Sequence, residues 1–370
     1  MMCMKIGFLL VGQNSPNEGV IRPFIGWVKG QSNLVQTYVY LLRCGGQVKK
    51  AFVSAGGKVF CCNKISELID NIKSSDISIL IGDDDYSRLK VLDYVKKKTG
   101  VKTAVYVQVL YGSHSISRVF SSNSLTLDEK IKFKLSSLIP FKLLTQNYTR
   151  MLKRQNIVIA NSKITAALLA LLYDVGVDGI VYPPVDIEVF RPKRRDKRLS
   201  SVVVYLGSHA GDTNVKFIRE ITHVVKKSNF DLYAFGNRLV ANQLDRWNCK
   251  LSYCPHLSDN ELADLYEKSI LTICPQKWET FGYVPIESMA CGTPVLIFDH
   301  YIGASETIIK GKTGWLAKNE EEFLRIMNSI LKAKKIKVNR HFIVKYAETN
   351  FSIDKSVKKL KEILANRGIA

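Results

Sequence analysis

The chain has 370 residues, of which 46% are hydrophobic and 24% charged. This length suits two or three domains, and the composition excludes a disordered tail, a collagen-like fibre and a coiled coil. Lys and Arg number 54 against 33 Asp and Glu, which gives a net charge of +21. Such an excess predicts an acidic partner, either nucleic acid, anionic lipid or a phosphorylated substrate.

The amino terminus is predicted to be a strand rather than a signal peptide. Residues 1–12 carry one charge, a short apolar segment and no small-residue cleavage site. No apolar run approaches the ~20 residues of a membrane span. The eight cysteines include no CxxC pair, so we expect reduced, structural, intracellular thiols and no zinc site.

Strands and helices alternate along the first half, which implies parallel strands with crossover helices. The predicted strands are 5–11, 48–53, 59–62, 77–81, 102–109, 157–160 and 179–182. The first predicted helix runs from about Ser32 to Cys44 and ends at Gly45-Gly46. Further helices are predicted over 65–74, over 87–98 and from the strand 157–160 to about Tyr173. A long basic stretch, 113–154, interrupts the alternation.

The alternation restarts after the charged, proline-containing segment 191–198. Strands are predicted at 201–206, 231–235, 270–274 and 294–298, and helices at 259–268, 284–290 and 320–332. The sequence thus predicts two doubly wound α/β domains with the active cleft between them at the carboxyl ends of the strands. The predicted parts are a first domain 1–190, a linker 191–200, a second domain 201–345 and a C-terminal helix 346–370 packing back toward the first domain.

Chemistry is concentrated in residues 274–295. A buried strand leads to a loop with Glu279, then to a Gly282 turn and a helix with Pro285 in its first turn. The open amino end of that helix is a potential phosphate site. Glu287, one turn into the helix, can accept hydrogen bonds from ribose hydroxyls.

Two glutamates eight residues apart are expected by chance in a chain of this length, but their surroundings are specific. Phe281-Gly282 after Glu279, and Ser288 to Val295 after Glu287, resemble the family 4 (group 1) glycosyltransferases of the GT-B fold. Further stretches resemble the same family: 158–162, 182–186, 257–266, 303–306 and 312–314. The resemblance is strong over roughly 157–330.

The resemblance implies an enzyme that moves a sugar from a nucleotide-diphosphate sugar to a glycan or lipid-linked acceptor, with retention of anomeric configuration and without metal or cofactor. Glu279 would then be catalytic and contact donor-sugar hydroxyls, with Glu287 on the ribose. The phosphates would lie near the backbone of Thr280, Phe281, Gly282, Tyr283 and Val284.

The chain departs from the family after the first strand of the second domain. The family usually has Gly-Arg and then Lys-Gly there, whose cations neutralise the diphosphate, whereas this chain has Gly207-Ser208. Lys216 is a stand-in for the lysine, and Arg238 is a further candidate cation for donor binding.

In the first domain, the family commonly carries a histidine near the reacting sugar just beyond a strand. His114 is the candidate catalytic residue, with Gln108 as its rival and a loop histidine without a role as the alternative. Gly30, in a turn predicted to precede the first helix, occupies the family's glycine-loop position beside the diphosphate. An ordinary helix N-cap is the alternative.

Gly82-Asp83-Asp84-Asp85 contains a DxD, the metal-binding signature of the other major glycosyltransferase fold. Because the second domain carries the two-glutamate element, we interpret the three aspartates as a polar loop at a strand end.

Residues 118–163 hold nine Lys and Arg and two acids, interleaved with large apolar residues. This pattern predicts docking on an anionic membrane through Lys130, Lys132, Lys134 and Lys142. A helix packed on its own domain with solvated lysines is the alternative. The predicted location is cytoplasmic and peripheral at the inner face of the cell membrane.

Two other functions stay open at this point. One is a catalytically degenerate GT-B protein that binds nucleotide or a partner. The other is a basic nucleic-acid-binding protein, although no RNP motif, zinc finger or helix-turn-helix pattern is present.

Overall fold

A computed structural model describes residues 4–16, 18–31, 35–112, 140–193, 201–208, 213–276, 278–299, 302–333 and 338–369. The described residues fall into two units. The first holds those up to residue 184 together with 351–369, and the second holds 185–350. The sequence predicted boundaries at residues 190 and 345; residues 194–200 of the predicted linker lie outside the described part.

The first unit is built on a seven-stranded parallel sheet with the order β3-β2-β1-β4-β5-β6-β7. The strands are β1 Met4–Val11, β2 Val35–Leu42, β3 Lys58–Cys62, β4 Ile79–Asp83, β5 Thr103–Val107, β6 Ile157–Ala160 and β7 Gly179–Ile180. The helices are α1 Arg22–Lys29, α2 Gly46–Ser54, α3 Ile65–Ser75, α4 Tyr86–Thr99, α5 Phe141–Lys153 and α6 Lys163–Tyr173.

The last helix of the chain, Ile353–Asn366, completes the core of the first unit. Its apolar face packs with α1 and β1. Trp27, which is fully buried, donates from Nε1 to Ser356 Oγ at 2.8 Å, and Ser356 Oγ donates to the carbonyl oxygen of Tyr182 at 2.8 Å. The C-terminal helix therefore belongs to the same core as the first strand.

The second unit has a six-stranded parallel sheet with the order β10-β9-β8-β11-β12-β13. Its strands are β8 Ser201–Tyr205, β9 Asp231–Phe235, β10 Ser252–Tyr253, β11 Leu271–Cys274, β12 Val295–Phe298 and β13 Gly314–Ala317. Its helices are α7 Val215–Lys227, α8 Arg238–Arg246, α9 Asp259–Lys268, α10 Tyr283–Ala290, α11 Ile302–Ser305, α12 Glu320–Ala333 and α13 Arg340–Phe351; the helix Ile353–Asn366 is then α14.

Two parallel-sheet Rossmann-like units confirm the predicted α/β fold class. Two predicted elements of the first unit are wrong: the helix from Ser32 to Cys44 is strand β2, and the strand 48–53 is helix α2. β2 is buried along most of its length, so its apolar residues run almost without interruption. In α2 the buried residues Val48 and Phe52 are four apart, which is the spacing of a helix face.

Candidate functional site

The strand order of the second sheet reverses between β8 and β11. In open α/β sheets, ligands bind beyond the carboxyl ends of the strands at such a switch point. The loops that leave these two strands are residues 206–214 and 275–282. They carry the predicted residues Ser208, Glu279, Thr280, Phe281 and Gly282, and they lead into α7 and α10.

Glu279 is half-buried in the loop after β11. Its backbone carbonyl accepts from the Gly303 N–H at 3.0 Å, and its Oε1 accepts from the Thr280 N–H at 3.1 Å. Gly303 belongs to α11, and a Cβ at this position would collide with the carbonyl oxygen of Thr280. The Glu279 loop therefore rests directly on the backbone of α11, an approach that only glycine allows.

Helix α10 begins at the end of this loop. Its N-cap residue, Gly282, has φ of +84° and makes no side-chain cap, and the first turn holds no acidic residue. The first N–H groups of a helix have no partner within it and carry positive partial charge, so they favour an anion. Because glycine has no side chain with which to cap this end, the start of α10 is suited to a phosphate-sized anion.

Glu287 lies one turn further along α10 and is 1% exposed. Its Oε2 accepts a hydrogen bond from the hydroxyl of Tyr266 at 3.3 Å. Burial raises the pKa of the Cys274 thiol well above its usual range, and the charges of Glu279 and Glu287 raise it further. Both carboxylates therefore lie close enough to act electrostatically on one thiol at the end of β11.

Gln276 is a site residue that the sequence analysis did not single out. It is 1% exposed and donates from Nε2 to the carbonyl oxygen of Tyr205 at 2.7 Å and, less closely, to Thr213 Oγ1 at 3.4 Å. Thr213 Oγ1 in turn donates to the carbonyl oxygen of Leu206 at 2.8 Å. Gln276 thus joins the two loops of the switch point. Its position two residues after a buried strand is the only sequence signal, and this does not distinguish it from other polar loop residues.

The predicted cations of the second unit lie in different places. Lys216 is exposed at the second position of α7, the helix that follows β8. Arg238 is exposed at the first position of α8 and lies near Tyr253, whose pKa is raised by burial and lowered in part by the Arg238 charge. Of the two, Lys216 is on the side of the switch point, and Arg238 is on the β9–β10 side of the sheet.

Ser208 occupies the position of the family's arginine. Its Oγ is 2.7 Å from the hydroxyl oxygen of Tyr205, and its carbonyl oxygen accepts from Asn237 Nδ2 at 3.1 Å. The end of β8 is therefore held by neutral hydrogen bonds, and no positive charge comes from this position.

Gly30 was predicted to lie beside a diphosphate in a turn before the first helix, and this placement is wrong. Gly30 is the C-cap residue of α1 and precedes strand β2, so it lies at the amino ends of the strands. A Cβ at Gly30 would collide with the Ile353 side chain and press on Val357 of the C-terminal helix. The glycine serves helix packing there.

The remaining predicted residues of the first unit are only partly described. His114, Lys130, Lys132 and Lys134 lie outside the described residues, and Lys142 is exposed on α5. Gln108, the alternative to His114, is 6% exposed and donates from Nε2 to the carbonyl oxygen of Val20 at 3.0 Å.

The three consecutive aspartates lie at the end of β4. Asp83 accepts from Arg88 Nε at 2.8 Å and from Gln13 Nε2 at 3.3 Å, and Asp85 caps α4 by accepting from two backbone N–H groups. Within the described ranges, no group of three or more His, Cys, Asp or Glu side chains is arranged to hold a metal ion.

Part of the chain matches a known protein family. Residues 201–366 match the family model for glycosyl transferases group 1. These residues belong to that family. A D-inositol 3-phosphate glycosyltransferase from Catenulispora acidiphila is 27% identical over 198 residues, which cover 44% of this chain and 46% of the relative. The chain thus spans about half the length of this relative in the alignment.

Solved structures match the chain over more of its length. The crystal structure of Anabaena HepE in complex with UDP and glucose has a TM-score of 0.74 at 15% identity, over 98% of this chain and 100% of HepE. A glycosyltransferase from Rickettsia africae has a TM-score of 0.70 at 18% identity, over 98% of each chain. At such low identity these matches establish the fold, and the predicted GT-B fold is confirmed.

The contact between the Glu279 loop and α11 can be tested with Gly303→Ala. The added methyl group has no room against the Thr280 carbonyl, so we expect a loss of about 1–3 kcal/mol in the free energy of unfolding. Urea unfolding measures it. Gly176→Ala is the control, because no atom lies within 4 Å of a Cβ built there. Equal stability of the two variants would show that the loop does not depend on this contact.

Proposed function

We propose that this chain transfers a sugar from a nucleotide-diphosphate sugar to a glycan or lipid-linked acceptor, with retention of anomeric configuration. The observation that carries the proposal is the amino end of α10 at the switch point of the second sheet, with Glu279 in the loop that leads to it and Glu287 one turn into the helix. The helix end suits the diphosphate, Glu279 the donor-sugar hydroxyls and Glu287 the ribose.

Departure of the nucleoside diphosphate requires stabilisation of its negative charge. With Ser208 in place of arginine, the charge is assigned to the amino end of α10 and to Lys216 on the first turn of α7, whose own amino end is capped by the Asn214 side chain. β8 and β11, the strands that precede these helices, are adjacent, so the two helix ends start from neighbouring points of the sheet edge.

The known proteins support the donor class. HepE has been crystallised with UDP and glucose and with UDP-glucose, which favours a uridine diphosphate sugar as the first donor to try. The relative from Catenulispora is named for an inositol phosphate, so phosphorylated polyols join lipid-linked sugars among the acceptors to be screened. Retention of configuration is inferred from the resemblance around Glu279 and Glu287, and it is read directly from the anomeric coupling constant of the product.

Ser208 also favours a second candidate, a nucleotide-binding protein of the same fold without transfer activity. A thermal-shift screen of nucleoside diphosphates and nucleotide sugars, followed by a transfer assay on each binder, separates the two candidates. Binding without transfer to any acceptor would favour the second.

The two glutamates should differ in their effects. Glu279→Gln should lower the transfer rate at least tenfold while leaving the nucleotide affinity near that of the wild type, because its carboxylate contacts the sugar. Glu287→Gln should weaken nucleotide binding by about tenfold to a hundredfold, the equivalent of 1.5–3 kcal/mol for a lost charged acceptor.

Calorimetry with the nucleoside diphosphate and a transfer assay measure these effects. Glu220→Gln, an exposed acid on α7, is the matched control. Wild-type turnover in Glu279→Gln would remove this residue from the site, and an unchanged dissociation constant in Glu287→Gln would do the same for Glu287.

We also propose that the reaction proceeds without a metal ion, because the amino end of α10 and Lys216 take the role of the cation. EDTA should then leave the transfer rate unchanged. A strict requirement for Mn²⁺ or Mg²⁺ that is lost in Asp83→Ala/Asp85→Ala would contradict this and restore the metal interpretation of the aspartates.

The basic charge is assigned to an anionic membrane surface. None of the helices in the described parts of the chain has the length and apolar character needed to cross a bilayer. On the first unit, however, Leu143 of α5 is 63% exposed and Leu171 of α6 is 80% exposed. Lys153 Nζ is 2.5 Å from Asp174 Oδ2, and that carboxyl's pKa is lowered by Lys153 and, less, by Lys142. Exposed leucines and lysines thus share the surface around the end of α6.

This surface should bind vesicles that contain anionic lipid, because each basic residue near such a surface contributes about 1 kcal/mol. Leu143→Glu/Leu171→Glu and, separately, charge reversal of Lys130, Lys132, Lys134 and Lys142 should each reduce flotation and leave nucleotide binding unchanged. Val53→Glu is the control, because Val53 is also an exposed apolar residue but lies on α2. Flotation of both variants at the wild-type level would assign the charge to another partner.

A further inference from the structure

Asp84 is a buried carboxylate that lies just beyond β4 and is 1% exposed. Its two oxygens accept the backbone N–H groups of three consecutive residues, Gln108 at 2.7 Å, Val109 at 3.1 Å and Leu110 at 2.8 Å. The hydroxyl of Tyr148 donates to the same carboxylate at 2.8 Å. One side chain therefore binds a loop after β5 and a helix, α5, that follows 30 residues later.

This arrangement is costly for the fold. Burial raises the pKa of the Asp84 carboxyl, although its four hydrogen bonds oppose the shift. Leu110 adopts φ of +61°, a left-handed conformation that is unfavourable for a branched side chain. Backbone strain of this kind persists only where the surroundings enforce it, and it concentrates at functional sites.

The two segments bound by Asp84 also contact each other. The rings of Tyr111 and Tyr148 lie 5.8 Å apart. From the neighbouring helix α6, the Tyr173 hydroxyl donates to the carbonyl oxygen of Tyr111 at 2.6 Å. A Cβ at Gly112 would meet the Thr145 side chain at 3.2 Å. The geometry of residues 108–112 against α5 is thus fixed from several sides, with the carboxylate at the centre.

The fixed loop reaches the switch point of the first sheet, where the order reverses between β1 and β4. Gln108 Nε2 donates to the carbonyl oxygen of Val20, in the loop that follows β1, so Gln108 spans the end of β4. The three N–H groups on Asp84 set the position from which Gln108 makes this contact.

We propose that Asp84 is a positioning residue of the first unit. It holds residues 108–112 and α5 in the one arrangement that supports sugar transfer. The proposal rests on the proposed glycosyl transfer. It gives the Gly82–Asp85 motif a role that is distinct from metal binding: Asp83 pairs with Arg88, Asp84 fixes the loop and Asp85 caps α4.

The test compares two isosteric substitutions in adjacent residues. In Asp84→Asn the new Nδ2 hydrogens face N–H and O–H donors, so the loop loses its anchor. In Asp85→Asn the cap is preserved, because asparagine and aspartate are equivalent at this position. Tyr148→Phe is the milder variant, because it removes one of the four donors and keeps the packing, and it carries the test if Asp84→Asn does not fold.

Three quantities are measured in the full chain: amide hydrogen exchange of Gln108, Val109 and Leu110, the dissociation constant for the nucleoside diphosphate, and kcat and KM for transfer. For Asp84→Asn we expect exchange of these amides to rise about tenfold or more and kcat to fall at least tenfold, with donor affinity unchanged. Tyr148→Phe should show the same pattern with a smaller change, and Asp85→Asn should match the wild type in all three.

Faster exchange with unchanged kcat and KM would overturn the proposal, because Asp84 would then serve stability alone. Unchanged exchange would overturn it as well, since the loop would be held by other contacts. A wild-type protein that transfers no sugar from any donor would instead remove the proposed function, and the exchange rates would still decide whether Asp84 holds the two segments.

Discussion

A strand that ends at a switch point delivers a loop whose peptide groups have left the ladder, and buried peptide groups must find other partners. In both units a single buried side chain supplies part of that need. Asp84, which follows the switch-point strand β4, accepts three N–H groups from the loop after the neighbouring strand β5, and Gln276 donates to the carbonyl oxygen at the end of β8. The two solutions have opposite polarity, because one loop presents donors and the other presents acceptors. These bonds join Gln108 to the end of β4 in one unit and the Glu279 loop to the end of β8 in the other.

The sequence predicted strands and helices correctly where capping or turn residues marked the ends of each element. Ser258 and Glu261 form a capping box at the start of α9, and the helix runs over the predicted residues 259–268. Where the residues at an element's end suit more than one structure, the predicted element was wrong. Gly45-Gly46 is typical of a helix end, but here Gly45 is the N-cap of α2, and the preceding residues form a buried strand. A nearly continuous apolar run has no period, so neither helix nor strand is favoured by the pattern alone.

The candidate site divides in the same way. The turn at Gly282 and the helix behind it depend on residues adjacent in sequence, so local reasoning sufficed to place them. The packing role of Gly30 could not be predicted without its partner, because the side chains that exclude a Cβ there belong to a helix more than 300 residues away. Asp84 and Gln276 are of the second kind as well: their partners lie 24 and 71 residues distant, and no short-range pattern distinguishes them from polar loop residues.

The absence of arginine after Gly207 changes how negative charge can be held in the second unit. A guanidinium supplies a full charge on a flexible chain, whereas a helix end supplies about half a charge that is fixed in place by the backbone. Ser208 is already bonded to Tyr205, so the end of β8 contributes order and not charge. A site built on helix ends stabilises an anion only if their direction is maintained, because the helix-end effect fades beyond the first turn. This makes the bond from Gln276 to Tyr205 more important here than it would be beside an arginine, since it holds the loop ahead of α10 against the strand that leads to α7. In the proposed site, an oriented helix end and Lys216 together take the role that the arginine has in the usual family pattern.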